Sequence, residues 1–206
     1  SVLILWMLIL VSGRWKILMK RIVVAITGAS GIPLAITCLE ELRKTDCEIH
    51  LIISKSAKLT LQLETNYQIE DIYSLVDVVH ENEAIGDNIA SGTYLVSGVI
   101  VIPCSMKTLG GIRNGYSDNL INRVVDVNIK EQRKVILVTR EAPLSSIHLD
   151  NLAYLARIPN LFIIPPVLTY YQHPKTIKDM EIHIVGKILE KFDIDISDYK
   201  RWDYKK

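Results

Sequence analysis

Five short runs of aliphatic and β-branched residues punctuate this chain, at Ile22–Thr27, Glu48–Ser54, Gly98–Pro103, Val135–Thr139 and Leu161–Ile164. Within most of them apolar side chains fill successive positions instead of alternating with polar ones. A strand patterned in that way buries both of its faces, as in a parallel sheet covered by helices. Helical periodicity fills the intervals, over Pro33–Lys44, Lys55–Glu64, a short piece near Asp71–Val76, Met106–Gly111, Asn119–Lys130, Ser145–Ala156 and Thr176–Phe192. Strand and helix in alternation predict an α/β chain with a right-handed, doubly wound parallel sheet. The more polar residues 65–96 read as a connection, with a Gly/Ser loop around Ala90-Ser91-Gly92.

The length of 206 residues suits one domain with a substantial core, and the expected architecture is a single-domain, three-layer Rossmann/flavodoxin-like fold. A net charge of +1 supplies no basic field for nucleic acid. Cys38, Cys47 and Cys104 form neither a CxxC pair nor an even disulfide set, which points to a reducing, cytoplasmic setting. The five histidines lack metal-ligand spacing, so no metal is expected. Residues 1–18 stand apart. Their apolar run Val2–Val11 is about half of what a bilayer span needs, and Met19-Lys20-Arg21 opens a well-formed strand. The expectation is an apolar extension over 1–18 that carries no catalysis and a functional domain over 19–206. An apolar arm for subunit or membrane contact is the alternative.

In such a sheet, ligands sit beyond the carboxyl ends of the strands. There, Val135–Thr139 runs into an adjacent cation and carboxylate, Arg140-Glu141, and then turns through Ala142-Pro143. The first strand ends in Gly28-Ala29-Ser30-Gly31, where glycines admit a phosphate and a helix start offers free amides, although Ser30 serves equally well as a helix cap. Ser54 ends the second strand, and Pro103-Cys104-Ser105-Met106-Lys107-Thr108 ends the third. Three hydroxyl-bearing ends on one edge make a cradle for a phosphorylated planar cofactor. FMN suits it better than a dinucleotide, because no acidic ribose-binding residue follows at the usual distance. Cys104 reads as a packing residue. Arg123 and Lys130 share a helix face, Tyr170-Tyr171 follow the rigid Pro165-Pro166 pair, Lys187 lies mid-helix and Trp202 is near the terminus.

From Met19 to Trp202 the chain resembles the flavin prenyltransferases of the UbiX family. The resemblance rests on ordered motifs: Thr27-Gly28-Ala29-Ser30-Gly31, Ile53-Ser54-Lys55, Leu63-Glu64-Thr65, Ala90-Ser91-Gly92, Pro103-Cys104-Ser105, Asn119-Leu120-Ile121-Asn122-Arg123, Lys130-Glu131, Arg140-Glu141-Ala142-Pro143, Pro165-Pro166 and Tyr171-Gln172-His173-Pro174. It implies transfer of a dimethylallyl group from dimethylallyl phosphate to N5 and C6 of reduced FMN, without metal. The product, prenylated FMN, would serve a UbiD-type decarboxylase. By position, FMN would be held by Gly28, Ala29, Ser30, Ser54, Ser105, Met106, Lys107, Thr108 and Arg140. The prenyl phosphate would be gripped by Lys130, Arg140, Tyr171 and Lys187, with Arg123 close by. Ser30, Glu64 and Glu141 would act at the reacting centre, and Trp202 would close the pocket. Relatives form homo-oligomers, namely dodecamers.

The residue types suit this chemistry. Fixed cations and donors favour departure of an allylic phosphate. A carboxylate beside Arg140, namely Glu141, suits proton removal from the flavin, and Trp202 offers a cation–π surface. Many relatives carry arginine where this chain has Lys187, a change that keeps the charge and loses the bidentate fork. The same fold also hosts FMN-dependent decarboxylases of the cysteine-decarboxylating type. They are similar to one another in a Pro-x-Met-Asn segment and a histidine on an early helix. Here that segment reads Pro103-Cys104-Ser105-Met106, and no histidine lies between residues 21 and 49. A non-catalytic FMN-binding subunit is a third reading, and it would not need the cationic set.

Overall fold

The structure, a computed structural model, describes residues 19–201, so the 1–18 extension and Trp202 lie outside the described residues. Six parallel strands form one sheet in the order β3-β2-β1-β4-β5-β6. They are β1 Arg21–Ile26, β2 Glu48–Ile53, β3 Val78–Glu81, β4 Gly98–Cys104, β5 Lys134–Thr139 and β6 Leu161–Ile163. Around them run α1 Ile32–Arg43, α2 Lys55–Glu64, α3 Ile69–Tyr73, α4 Met106–Arg113, α5 Leu120–Lys130, α6 Ser146–Leu155 and α7 Ile177–Leu189.

Successive side chains of a strand point to opposite faces, and β1 shows the consequence. Ile22, Val24 and Ile26 pack into one apolar layer with α1 and α7, whereas Val23 and Ala25 enter a second layer with α4 and α5. Both layers are closed to water, which is why the central strands carry unbroken apolar runs.

The expected strands and helices all form, with ends shifted by a few residues. Two elements were not expected. The edge strand β3 has only four residues, of which His80 alone is buried, and its apolar signal is correspondingly thin. A single 3₁₀ turn at Asn88–Ala90 follows it. From β1 the chain winds outward through β2 and β3, then returns to place β4 on the other flank of β1. The switch point therefore falls between the carboxyl ends of β1 and β4. Thr27 fastens the two ends there: its Oγ1 donates to the Pro103 carbonyl at 2.6 Å and accepts from the Ser105 amide at 2.9 Å.

Candidate active site

Two clefts open at this carboxyl edge. The first, of about 500 Å³, is lined by Thr27, Ser54, Ser56, Ser105, Lys107 and Thr108, and faces Asn82, Asn119 and Asn122 across the gap. Its floor is built from two helix starts. Ser54 caps α2 by accepting from the Ala57 amide at 3.1 Å, and Ser105 caps α4 by accepting from the Thr108 amide at 3.3 Å. Each hydroxyl serves the third amide of its helix. The amides of Lys55 and Ser56, and of Met106 and Lys107, have no intrahelical acceptor and remain for an anion. Gly111 forms part of the wall because any Cβ there would fall 2.2 Å from Asn122 Nδ2. Asn122 is 5% exposed and donates from Nδ2 to the Tyr116 carbonyl at 3.0 Å, while its Oδ1 has no partner. A buried amide oxygen without a donor fits a ligand that brings one.

The second cleft, of about 640 Å³, is lined by Ser30, Gly31, Glu64, Arg140 and an apolar wall that includes Leu34, Leu168, Ile177 and Met180. Ser30 is not the cap of α1. The N-cap of α1 is Gly31, at φ 120°, with no capping side chain of its own. The cap comes from Glu64, whose Oε2 accepts from the amides of Gly31 and Ile32, each at 2.9 Å. Burial pushes the Glu64 carboxyl up, but bonds from Ser30 and from those two amides, with Arg140 nearby, hold it below the usual carboxylate range. Ser30 is exposed and supports Glu64 instead of ending the helix. Arg140 follows β5 with its amide donating to the Cys104 carbonyl at 3.3 Å. Its neighbour Glu141 is exposed, with Oε1 accepting from the Ala142 amide at 3.0 Å.

One protomer thus brings together Gly28, Ala29, Ser30, Ser54, Glu64, Ser105, Met106, Lys107, Thr108, Arg140 and Glu141 at one edge of the sheet. It does not bring Lys130 and Lys187 there. Arg123 lies in the first turns of α5, tied to Asp126 at 2.9 Å. Lys130 ends the same helix, beside the start of β5, and pairs with Glu131. Lys187 is ten residues beyond Ile177 on α7, hence about 15 Å further along the axis. It pairs with Glu190 at 2.8 Å and faces the β6 edge. Tyr171 is exposed on the loop after β6. Helices that return antiparallel to the strands carry their last residues away from the carboxyl edge, so motif order alone could not reveal this separation. Asn82 carries no signal in the sequence, and Asn119 and Asn122 stand there only as members of the Asn119–Arg123 motif, with no role in the cleft assigned to them.

A family model described as Flavoprotein matches residues 14–192. The flavin prenyltransferase LpdB of Lactiplantibacillus plantarum is 47% identical over 186 residues, covering 90% of this chain and 99% of that protein. The chain belongs to the UbiX family of flavin prenyltransferases. Two solved structures of this family superpose closely. The AnUbiX (PadA1) complex with FMN and dimethylallyl pyrophosphate gives a TM-score of 0.88 at 43% identity, covering 90% of this chain and 98% of that one. A dodecameric FMN-dependent UbiX-like decarboxylase from Escherichia coli O157:H7 gives 0.87 at 43% identity, covering 89% and 100%. The family's parallel α/β fold is therefore the fold found here. Among the described residues, no helix is long and apolar enough to cross a membrane.

Proposed function

We propose that this chain transfers a dimethylallyl group from dimethylallyl phosphate to N5 and C6 of reduced FMN, giving prenylated FMN for a UbiD-type decarboxylase in the cytoplasm. The observation that carries the reading is the adjacency of the two clefts across the β1–β4 switch point. One offers hydroxyls and open helix amides; the other offers Arg140, Glu64 and Ser30 against an apolar wall.

The residues fit FMN. The amides of α2 and α4, with Ser54, Thr108 and Lys107, suit its phosphate, and the unpartnered Asn122 Oδ1 suits a donor on a flat polar ring. When bound, the reduced flavin supplies the nucleophilic positions. The chain supplies the rest. The wall of Leu34, Leu168, Ile177 and Met180 excludes water from an allylic chain, and Arg140 offers fixed charge to its phosphate. Glu141, exposed beside Arg140, would take the proton that the flavin gives up.

Lys130, Tyr171, Lys187 and Arg123 complete the phosphate grip in this reading through assembly. The similarity to a dodecameric protein supports a homo-oligomer, and copies of the chain can bring the Lys130 end of one protomer to the cleft of another. The 1–18 extension is proposed to lie outside the catalytic domain, and Trp202 to close the pocket.

The test is anaerobic incubation of the protein with FMN, dithionite and dimethylallyl monophosphate, followed by mass spectrometry of the released flavin. A five-carbon gain is expected, and a parallel reaction with the diphosphate identifies the preferred donor. Unchanged FMN with both donors, from protein that binds flavin, would overturn the reading and return weight to decarboxylation.

A further inference from the structure

The β2–β3 side of the sheet holds a buried chain of hydrogen bonds that the flavin chemistry does not use. Arg21 Nη2 meets Glu48 Oε2 at 2.9 Å. Glu48 Oε1 lies 2.9 Å from His50 Nε2, His50 Nδ1 lies 2.8 Å from His80 Nε2, and His80 Nδ1 lies 2.8 Å from Asp87 Oδ2. His50 is 1% exposed and His80 9%, and their ring planes are 13° apart. Asp87 Oδ1 accepts from the Ile89 amide at 3.2 Å and so starts the Asn88–Ala90 turn.

The three gaps Glu48–His50, His50–His80 and His80–Asp87 need three hydrogens. Two neutral imidazoles supply only two, which would leave one gap with lone pair facing lone pair. The chain closes only when it holds one proton more, a proton that belongs to the cluster and not to one ring. The surroundings pull both ways. Arg21 offsets Glu48, and the extra proton offsets Asp87. On the far side Asp77 is occupied by the Ile49 amide and Arg43, and Tyr94 presents its ring edge to His50. Burial pushes His50 down against the pull of Glu48. Burial raises Asp87, but the bonds from His80 and the Ile89 amide bring it below the usual carboxylate range.

We propose that this chain is a proton-dependent strut and that His50 and His80 are positioning residues for the first cleft. Two residues after His80, the Asn82 carbonyl accepts from the Leu120 amide at 2.8 Å and its Oδ1 accepts from the Ile121 amide at 3.2 Å. Those are the first amides of α5, whose Asn119, Ile121 and Asn122 line the cleft. Asp87 fastens the other end of the loop, and Ile89 and Ala90 pack in the same apolar layer as Leu120 and Val124. Loss of the extra proton leaves one of the three gaps without a hydrogen, most readily the one between the two rings, and loosens the tie that holds β3 and its loop to β2. The link to ligand rests on the flavin reading; the strut itself does not.

The deciding variant is Asp87→Asn. Its Nδ2–H supplies the third hydrogen covalently and its Oδ1 keeps the Ile89 amide, so two neutral rings suffice. An unfolded histidine sheds its proton near about pH 6.5. A folded cluster that keeps the proton above that pH contributes fully below it and loses the contribution as pH rises through its own titration.

Thermal midpoints and FMN dissociation constants are measured from pH 6 to 9. The wild type is expected to lose midpoint and FMN affinity as pH rises, toward a limit of about tenfold in affinity per pH unit for one linked proton. Asp87→Asn should be flat in both. Equal pH slopes in the two proteins overturn the strut. A sloping midpoint with flat FMN affinity overturns the positioning role. Absence of FMN binding at every pH, with midpoints as expected, sinks the flavin reading and leaves the strut standing. If Asp87→Asn does not fold, ¹⁵N NMR of ring-labelled wild-type histidine at pH 8 decides. One ring with both nitrogens protonated supports the strut, and only neutral rings overturn it.

Discussion

Glu64 Oε2 stands 2.9 Å from the amide nitrogen of Gly31, inside the helix start that the sequence suggests for a phosphate. The chain's own carboxylate therefore neutralises the positive end of α1. A second anion cannot share those amides, so a flavin phosphate is directed to α2 and α4. In the proposed reading Ser30 and Arg140 would then face the second cleft, with Arg140 free for the prenyl phosphate.

Replacing Glu64 with glutamine sets an amide N–H or a weaker carbonyl against two backbone donors. The expected loss is about 1 kcal/mol of stability at pH 7, the scale of a helix cap with its charge. Because the folded carboxyl is held low, its contribution is present above its unfolded value and disappears as pH falls through the folded one. Urea unfolding between pH 3 and 7 should therefore show a smaller acid-side loss in Glu64→Gln than in the wild type. Identical acid-side losses would remove Glu64 as an ionised cap.

Thr27→Val keeps volume and removes the hydroxyl that joins β1 to β4. The site is 2% exposed; the Ser105 amide loses its partner, and the Pro103 carbonyl keeps only the longer bond from the Thr27 amide at 3.3 Å. The cost should be about 1–3 kcal/mol, with weaker FMN binding because Ser105 and α4 shift together. Ser105→Ala, which removes a cap and a half-buried bond to the Thr108 hydroxyl, should cost about 1 kcal/mol. Equal melting temperatures for the two variants would show that Thr27 does not hold the switch point.

The layered sheet was legible because its apolar runs are long and β-branched, and helix starts at Ser54, Ser105, Asn119, Ser145 and Thr176 carry capping residues in the sequence itself. What was not legible has particular causes. β3 is an edge strand whose alternate residues face solvent, so only His80 signals burial. The His50–His80 contact joins residues 30 apart, and its meaning depends on Asp87 in a loop. The cations Lys130 and Lys187 resemble site residues by motif, yet helix direction sends them away from Arg140. Family resemblance identifies such residues without saying which copy of the chain they serve.

Gly111→Ala places a methyl where the Asn122 amide nitrogen now sits. Asn122 must rotate and give up its bond to the Tyr116 carbonyl. FMN affinity should fall about tenfold or more, the scale of one buried polar contact. Gly110→Ala is the control, since nothing lies within 4 Å of its Cβ. Fluorescence titration of FMN distinguishes them, and equal affinities would take Asn122 out of the cleft.

Glu141→Gln should bind FMN like the wild type and slow formation of the five-carbon adduct, because an exposed carboxylate beside Arg140 is lost and no cleft contact changes. Loss of one acid–base group corresponds to about 10²–10⁴-fold in rate. Ser30→Ala, by contrast, frees Glu64 from one donor and should weaken FMN retention or slow transfer. Single-turnover assays followed by mass spectrometry separate the two. Wild-type rates in Glu141→Gln would remove it from proton transfer.

Lys187 offers a test of the assembled grip. Its side chain is 51% exposed and its pairing with Glu190 keeps the ammonium charged, raising its pKa. An exposed pair of this kind contributes about 0–1 kcal/mol to stability, so Lys187→Ala should fold normally and bind FMN unchanged. If the ammonium meets the prenyl phosphate, removing that charge-assisted bond raises the donor KM by about 10–100-fold. Lys187→Arg should restore the donor KM to the wild-type value or below it, because a guanidinium grips phosphate with two parallel donors. A wild-type KM in Lys187→Ala would show that Lys187 belongs only to the pair with Glu190, leaving Arg140 as the cation that, among the described residues, lines the second cleft of its own protomer.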